Sequence, residues 1–203
     1  RPISICGINP TEGTLRVVYR VAGEGTKEFS EMKAGDTLEV MGPLGNGFTM
    51  KNEKAIIIGG GIGIPPMLGL AKQLDAEKTV VLGYRTSTFL KEEFEEVCDV
   101  KIATEDGSQG AKGTVIDAIE KYGVEGKVIY ACGPMPMLKA LAAYAEEHGM
   151  EAQISLEERM ACGIGACLGC ICKSKTKDHH TNVNNTRICK DGPVFDAKEV
   201  VFS

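Results

Sequence analysis

The sequence predicts a multidomain protein in three parts: a partial antiparallel β-barrel over residues 1–52, an α/β domain with a parallel sheet over 53–152, and a small cysteine-ligated domain over 153–203. Three observations carry this division. Short β-rich runs between glycine and proline turns fill the first part. Strand-like and helix-like segments then alternate regularly. Near the C-terminal end three cysteines crowd into residues 162–170, and a fourth follows at Cys189.

Composition bounds the rest. A chain of 203 residues with 43% apolar content buries roughly 70% of its unfolded surface, enough for two small domains and an appendage. The net charge is −5, and the Lys and Arg residues are scattered, which argues against nucleic acid or an anionic membrane as partner. No apolar run approaches the ~20 residues of a transmembrane helix. Eight cysteines without an export signal point to a reducing cytoplasm in which thiolates meet metal. The chain opens on Arg1-Pro2 in the middle of a motif, so a preceding piece, with any targeting signal, is to be expected.

In the first part, Leu15 to Val21 is β-rich, Thr37 to Met41 alternates, and residues 42–47 form a turn cluster, as in a small barrel. Gly25-Thr26 precedes a short helical stretch from Lys27 to Met32, closed by Gly35. Such an entry leaves free amides that can bind a phosphate.

In the second part, the apolar run 55–58 leads into Gly59-Gly60-Gly61-Ile62-Gly63-Ile64-Pro65-Pro66. A buried strand feeding a glycine turn and then a helix is the setting of a dinucleotide site. The prolines suit a first helical turn, where no amide partner is lost. Strands are expected at 78–83, 100–104, 127–131 and 151–156, with helices at 87–97, 114–122 and 135–148, the last stopped by Gly149. Ligands of such a sheet sit at the carboxyl ends of its strands. Two of those ends stand out, Cys132-Gly133-Pro134 and Gly83-Tyr84-Arg85-Thr86. The second shows no dedicated acid for a ribose 2′-hydroxyl, and Arg85 would suit a 2′-phosphate, so the residues leave NAD against NADP open.

In the third part, Cys162, Cys167 and Cys170 read as C-x4-C-x2-C, and Cys189 can supply a fourth thiolate. That spacing suits a 2Fe-2S cluster: a tight turn brings three sulfurs around two irons, and a remote segment closes the fourth corner. Gly163, Gly165 and Gly169 are expected to let the turn take conformations a Cβ would forbid. Zinc, which favours two C-x2-C pairs or Cys/His pairs, and a disulfide framework are the competing readings. Cys172 is a spare thiol or an alternate ligand, and His179-His180 in the polar loop 173–187 is a further conceivable metal pair. Glu92, Glu93, Glu95 and Glu96 read as a solvated helix face.

The run EERMACGIGACLGCIC followed by ICKDGPVFDAKEVV resembles the cluster domain of the electron-transfer subunit of NAD-dependent dihydroorotate dehydrogenase, B type, within the ferredoxin-reductase superfamily. The resemblance implies that Cys162, Cys167, Cys170 and Cys189 hold a 2Fe-2S cluster. It also turns weak N-terminal signals into an FAD site. Arg1, Pro2, Ile3 and Ser4 are similar to the Arg-x-x-Ser strand, with Arg1 on the pyrophosphate and Ser4 near flavin N5. Val18, Tyr19 and Arg20, with the Gly25-Thr26 turn, would complete it. Many reductases carry Tyr where Pro2 stands, which removes the usual aromatic cover at that position. Gly60, Gly61, Gly63 and Pro65, a GxGxxP form, and Cys132-Gly133-Pro134 resemble the nicotinamide-binding elements, and the resemblance implies NAD.

Flavin, nicotinamide pocket and cluster together imply conversion between hydride and single-electron chemistry. No general acid or base is expected in this chain. The resemblance implies an FMN-containing catalytic subunit that oxidises dihydroorotate as electron donor, a heterotetramer of two plus two subunits, docking through the surface 161–171, and a place in pyrimidine synthesis. A reductase subunit coupling NAD(P)H to ferredoxin, sulfide or hydrogenase chemistry is the rival enzyme. A redox-sensing or zinc-stabilised binding module is the non-enzymatic rival.

Overall fold

The computed structural model describes residues 1–177 and 182–202; His179 and His180 lie outside them. The chain begins with an antiparallel hairpin of β1 (Ile5–Asn9) and β2 (Thr14–Val17). Its turn is set by the Asn9 side chain, which accepts the amides of Thr11 and Glu12 at 3.1 and 3.2 Å, an Asx turn. Helix α1 (Glu24–Glu31) starts three residues earlier than expected. Gly23 caps it, and the Thr26 hydroxyl accepts the Gly23 amide at 3.1 Å, which draws the first turn back toward residue 23.

Residues 37–41 form no strand, contrary to the expectation from their alternation. Leu38, Val40 and Met41 stand 52, 74 and 61% exposed, and no neighbouring strand offers them a ladder among the described residues. Alternation describes half-buried faces, and without a partner the backbone has no reason to extend. Of the partial barrel, the described residues contain this one hairpin.

The α/β portion follows the expected alternation closely. Its elements are β3 (Ala55–Gly60), a 3-10 turn at Gly61–Gly63, α2 (Ile64–Gln73), β4 (Lys78–Tyr84), α3 (Lys91–Glu95), β5 (Asp99–Thr104), β6 (Ala111–Lys112), α4 (Val115–Tyr122), β7 (Val128–Cys132), α5 (Met135–Glu147) and β8 (Glu151–Ser155). After these come β9 (Ile171–Lys173), β10 (Asn185–Arg187) and β11 (Val194–Asp196). Seven strands form one sheet in the order β11-β8-β7-β3-β4-β5-β6, parallel except for β11 on β8. Helix α3 is shorter than its acidic sequence suggests, because Leu90 takes a left-handed φ of 58° just before it. The edge strand β11 was not anticipated; through it the cysteine-bearing segment joins the seven-stranded sheet.

Strand β3 is buried on both faces, and its side chains alternate between two cores. Ile56 and Ile58 pack with Val81, Ile129, Ala131, Leu138 and Leu141 on one side. Ile57 packs with Val80, Leu82, Tyr130, Met67 and Leu68 on the other. Cys170, Ile188 and Cys189 belong to the first core, so the cysteine-bearing segment packs on the same side of the sheet as Leu138 and Leu141.

The N-terminal part is tied to the second side. Arg16 makes a two-pronged pair with Glu93 at 2.5 and 2.9 Å, a geometry stronger than a single-point contact. The Phe48 ring meets Tyr130 edge-on at 5.7 Å, and the Tyr130 hydroxyl accepts the Lys51 amide at 2.8 Å. The Gln153 side chain both accepts from and donates to the Thr49 backbone, at 2.8 and 2.9 Å. No helix among the described residues is long and apolar enough to cross a membrane.

Candidate functional site

The cysteine loop is built by local geometry. Gly163 and Gly165 take φ of 71° and 80°, where a Cβ is strained; Gly169 takes no such conformation, so its expected conformational role is not met. The turn aims amides at sulfur. Gly165 N–H donates to Cys189 Sγ at 3.1 Å, and Cys167 N–H donates to Cys162 Sγ, Gly169 N–H to Cys167 Sγ and Cys189 N–H to Cys170 Sγ, each at 3.4 Å. Each of the four expected ligand sulfurs thus receives at least one backbone donor, the kind of supporting contact that orients the ligands of a metal centre.

The sulfurs fall into two pairs. The Cys162 side chain interacts with that of Cys167, and the Cys189 side chain with that of Cys170. Led by the Cys167 amide, backbone donors hold the Cys162 thiol down to about 6; burial pushes that of Cys189 up. Among the described residues no three His, Cys, Asp or Glu side chains gather as ligands of a single ion. Four sulfurs in two such pairs would suit a centre with two irons. Cys172 differs: it sits on β9, half-buried, and burial pushes its thiol up to about 11.

At the carboxyl end of β3, Gly60, Gly61 and Gly63 form the turn into α2, with Pro65 in the first turn of the helix. They are cross-braced by the end of β7. A Cβ on Gly63 would land on the Cys132 carbonyl, and one on Gly133 would lie 3.1 Å from the Gly60 carbonyl oxygen. Pro134 caps α5. The structure therefore brings the two expected nicotinamide elements into contact. Cys132 is opposite Ser155 in the register of β7 and β8. Burial pushes its thiol up to about 11, the Ser155 hydroxyl offsetting a part.

Beside this pair lies a cleft of about 260 Å³ lined by Gly133, Pro134, Met135, Leu138, Glu157, Glu158 and Arg159. Its far wall leads straight into the cysteine loop. Ser155 and the 157–159 wall were not anticipated; strand register, which sequence alone does not fix, reveals them. Arg85 is 88% exposed and faces Glu105 at 4.0 Å. Asp106, which Ser108 holds below the usual carboxylate range, adds a second negative charge, so a 2′-phosphate here would meet carboxylates.

Of the expected flavin residues, Arg1 and Gly25 are brought together: an added Cβ on Gly25 would lie 2.6 Å from Arg1 Nε. The guanidinium thus fills the space a side chain would take at the N-terminus of α1. Cation and unpaired first-turn amides together suit a pyrophosphate, and this cradle fits the group. Thr26 spends its hydroxyl on the Ala22 and Gly23 amides. Val18 packs against the second core, and Tyr19 meets Phe29 edge-on at 5.8 Å. Ile3 is half-buried, whereas Pro2, Ser4 and Arg20 are exposed.

Comparison with known proteins accords with this geometry. Residues 157–201 match the family described as the iron-sulfur cluster binding domain of dihydroorotate dehydrogenase B, and residues 57–143 match the oxidoreductase NAD-binding domain. The chain is 47% identical over 204 residues to the dihydroorotate dehydrogenase B (NAD(+)) electron transfer subunit of Caldanaerobacter subterraneus subsp. tengcongensis, covering 100% of this chain and 81% of that protein. The subunit of the same name from Fusobacterium nucleatum is 45% identical over 98% of this chain and 79% of its own length. A solved structure of an NADH-dependent reduced ferredoxin-NADP oxidoreductase superposes with a TM-score of 0.88 at 33% identity, over 100% of this chain and 74% of that one. This chain therefore belongs to the family of electron-transfer subunits of NAD-dependent dihydroorotate dehydrogenase B, oxidoreductase components that combine FAD, a 2Fe-2S cluster and NAD.

Proposed function

We propose that this chain carries electrons from a partner subunit, which contains FMN and oxidises dihydroorotate, to NAD+ in pyrimidine synthesis in the cytoplasm. The observation that carries the reading is the set of four sulfurs, drawn from two separated segments, each with its own amide donor. When bound, the flavin exchanges a hydride with nicotinamide and single electrons with the cluster.

The residues divide the work. Cys162, Cys167, Cys170 and Cys189 hold the cluster. Arg1, the amides of α1 around Gly25 and Thr26, and the backbone of Pro2, Ile3, Ser4, Val18, Tyr19 and Arg20 hold FAD. Gly60, Gly61, Gly63 and Pro65, with Cys132, Gly133 and Pro134, hold nicotinamide, and the carboxylates of Glu105 and Asp106 favour NAD over NADP. Residues 1–52, 53–152 and 153–203 act as FAD, NAD and cluster domains, the first as part of a β-barrel. No side chain is assigned as proton donor or acceptor; the chain's contribution is placement.

Ile164 and Leu168, 58 and 53% exposed, stand on the cysteine loop beside Ile171. This apolar rim is the surface on which the catalytic subunit docks, in an assembly of two plus two. The test is to purify the chain with that subunit and measure dihydroorotate-dependent NAD+ reduction. Activity that needs both chains supports the reading. A complex that reduces ferredoxin from NADH but ignores dihydroorotate favours the rival suggested by the ferredoxin-linked relative.

A further inference from the structure

We infer that Asn46 is a positioning residue: it ties the flavin half of the molecule to the loop carrying the fourth cluster ligand, and so sets the gap that electrons cross. The inference rests on the flavin and cluster sites proposed above. The loop 41–46 leaves the N-terminal part and ends on residues 190–193. There the Asn46 amide N–H donates to the Gly192 carbonyl at 2.6 Å. Its side-chain Nδ2 donates to the carbonyls of Lys190 and Asp191 at 3.0 and 3.1 Å. One residue thereby satisfies three consecutive carbonyls of a single loop. A short, planar amide with two N–H donors suits the task; a hydroxyl has one donor and a carboxylate has none.

The same loop carries Cys189 one residue earlier. Cys189 N–H donates to Cys170 Sγ, and its own Sγ accepts from Gly165, so a shift of residues 190–192 moves the sulfur pair. The contact is close because glycine permits it. Gly45 has a φ of 71°, and a Cβ there would lie 2.9 Å from Pro193 Cδ and collide with the Gly192 carbonyl. The loop also reaches the other end of the ligand set: a Cβ on Gly163, next to Cys162, would lie 3.1 Å from Leu44 Cδ1 and 3.3 Å from Met41 Cε.

Residues 187–192 hold their own shape without Asn46. Arg187 grips Asp191 through Nε at 2.9 Å and an Nη atom at 3.1 Å, and the Ile188 amide donates to the Cys170 carbonyl at 3.0 Å. Asn46 is itself exposed, so truncating it opens no core cavity. Its role is therefore separable from folding of the cluster loop.

The experiment uses the loaded protein, with Asn46→Ala and Asn46→Asp. Asp keeps the size but turns oxygen toward the Lys190 and Asp191 carbonyls. NADH is mixed anaerobically, the flavin is followed by its visible absorbance, and the reduced cluster by freeze-quench paramagnetic resonance. In both variants flavin reduction keeps its wild-type rate and iron content is retained, while arrival of the electron at the cluster slows several-fold, because a tunnelling rate falls steeply as the gap widens on the ångström scale. Cluster reduction at the wild-type rate in either variant would overturn the inference. So would loss of iron from both, because Asn46 would then maintain the cluster site instead of its distance. Absence of flavin or iron from the wild-type protein would instead remove the cofactor reading itself.

Discussion

The two glycine-rich turns, 60–63 and 163–169, look alike as sequence and are held by different physics. In the first, space decides at Gly60 and Gly63, and Gly61 alone takes a left-handed φ, of 53°. Gly63 lies against the Cys132 backbone, and a Cβ on Gly60 would lie 2.5 Å from Met137 Sδ and 3.1 Å from Pro134 Cδ. In the second, backbone conformation decides. Gly163 and Gly165 occupy left-handed φ, and the turn they make aims amides at sulfur. Crowding at Gly60 and Gly63 brings two strand ends together, whereas the left-handed pair Gly163 and Gly165 points donors inward. The first suits a flat ring lying on backbone, the second a charged inorganic group.

Substitutions can break this division. The largest effect is expected from Cys167→Ser. Electron passage from the catalytic subunit should fall by more than about a hundredfold, since the change exceeds the loss of a supporting contact. NADH oxidation through the flavin with an artificial acceptor should stay near wild type, and the two assays run side by side check it. Next is Gly63→Ala, expected to destabilise by ~1–3 kcal/mol through overpacking and to raise KM for NADH, with iron content intact.

Gly165→Ala sharpens the contrast from the other side. Left-handed strain of ~1–2 kcal/mol should lower iron retention while flavin reduction by NADH persists; Gly169→Ala, free of that strain, should keep its iron. If Gly63→Ala lost iron and Gly165→Ala lost NADH binding, the division would be reversed.

A smaller effect concerns the far edge of the nucleotide side. Glu105→Arg removes the partner of Arg85 and should shift the ratio of kcat/KM for NADH over NADPH toward NADPH by about fivefold, the scale of a screened surface pair. The smallest is Cys172→Ser, where iron content and resonance spectrum should match wild type and stability should fall by no more than ~1 kcal/mol.

The α/β half was the most legible part, because a strand buried on both faces writes an unbroken apolar run such as Ile56-Ile57-Ile58, and a helix start writes Pro65-Pro66. Cys162, Cys167, Cys170 and Cys189, the proposed ligands, were singled out by spacing. Less so was the N-terminal part: Thr37 to Met41 alternates like a strand, yet pairing depends on neighbours remote in the chain. The edge strand Val194–Asp196, the Ser155 hydroxyl beside Cys132, and the Asn46 contact all depend on register or docking between distant segments. No local pattern encodes these. Gly169 shows the converse, a glycine in a glycine-rich motif that its own conformation does not require.

The central claim, that sulfurs from two segments hold a pair of irons in a flavoprotein reduced by NADH, meets its most direct test in one sample. Iron, acid-labile sulfide and flavin are measured on the purified protein, and a paramagnetic resonance spectrum is taken after adding NADH. The account predicts about two irons and two sulfides per flavin, and the low-temperature signal of a reduced 2Fe-2S centre. A colourless protein carrying zinc on Cys162, Cys167, Cys170 and Cys189 would contradict it.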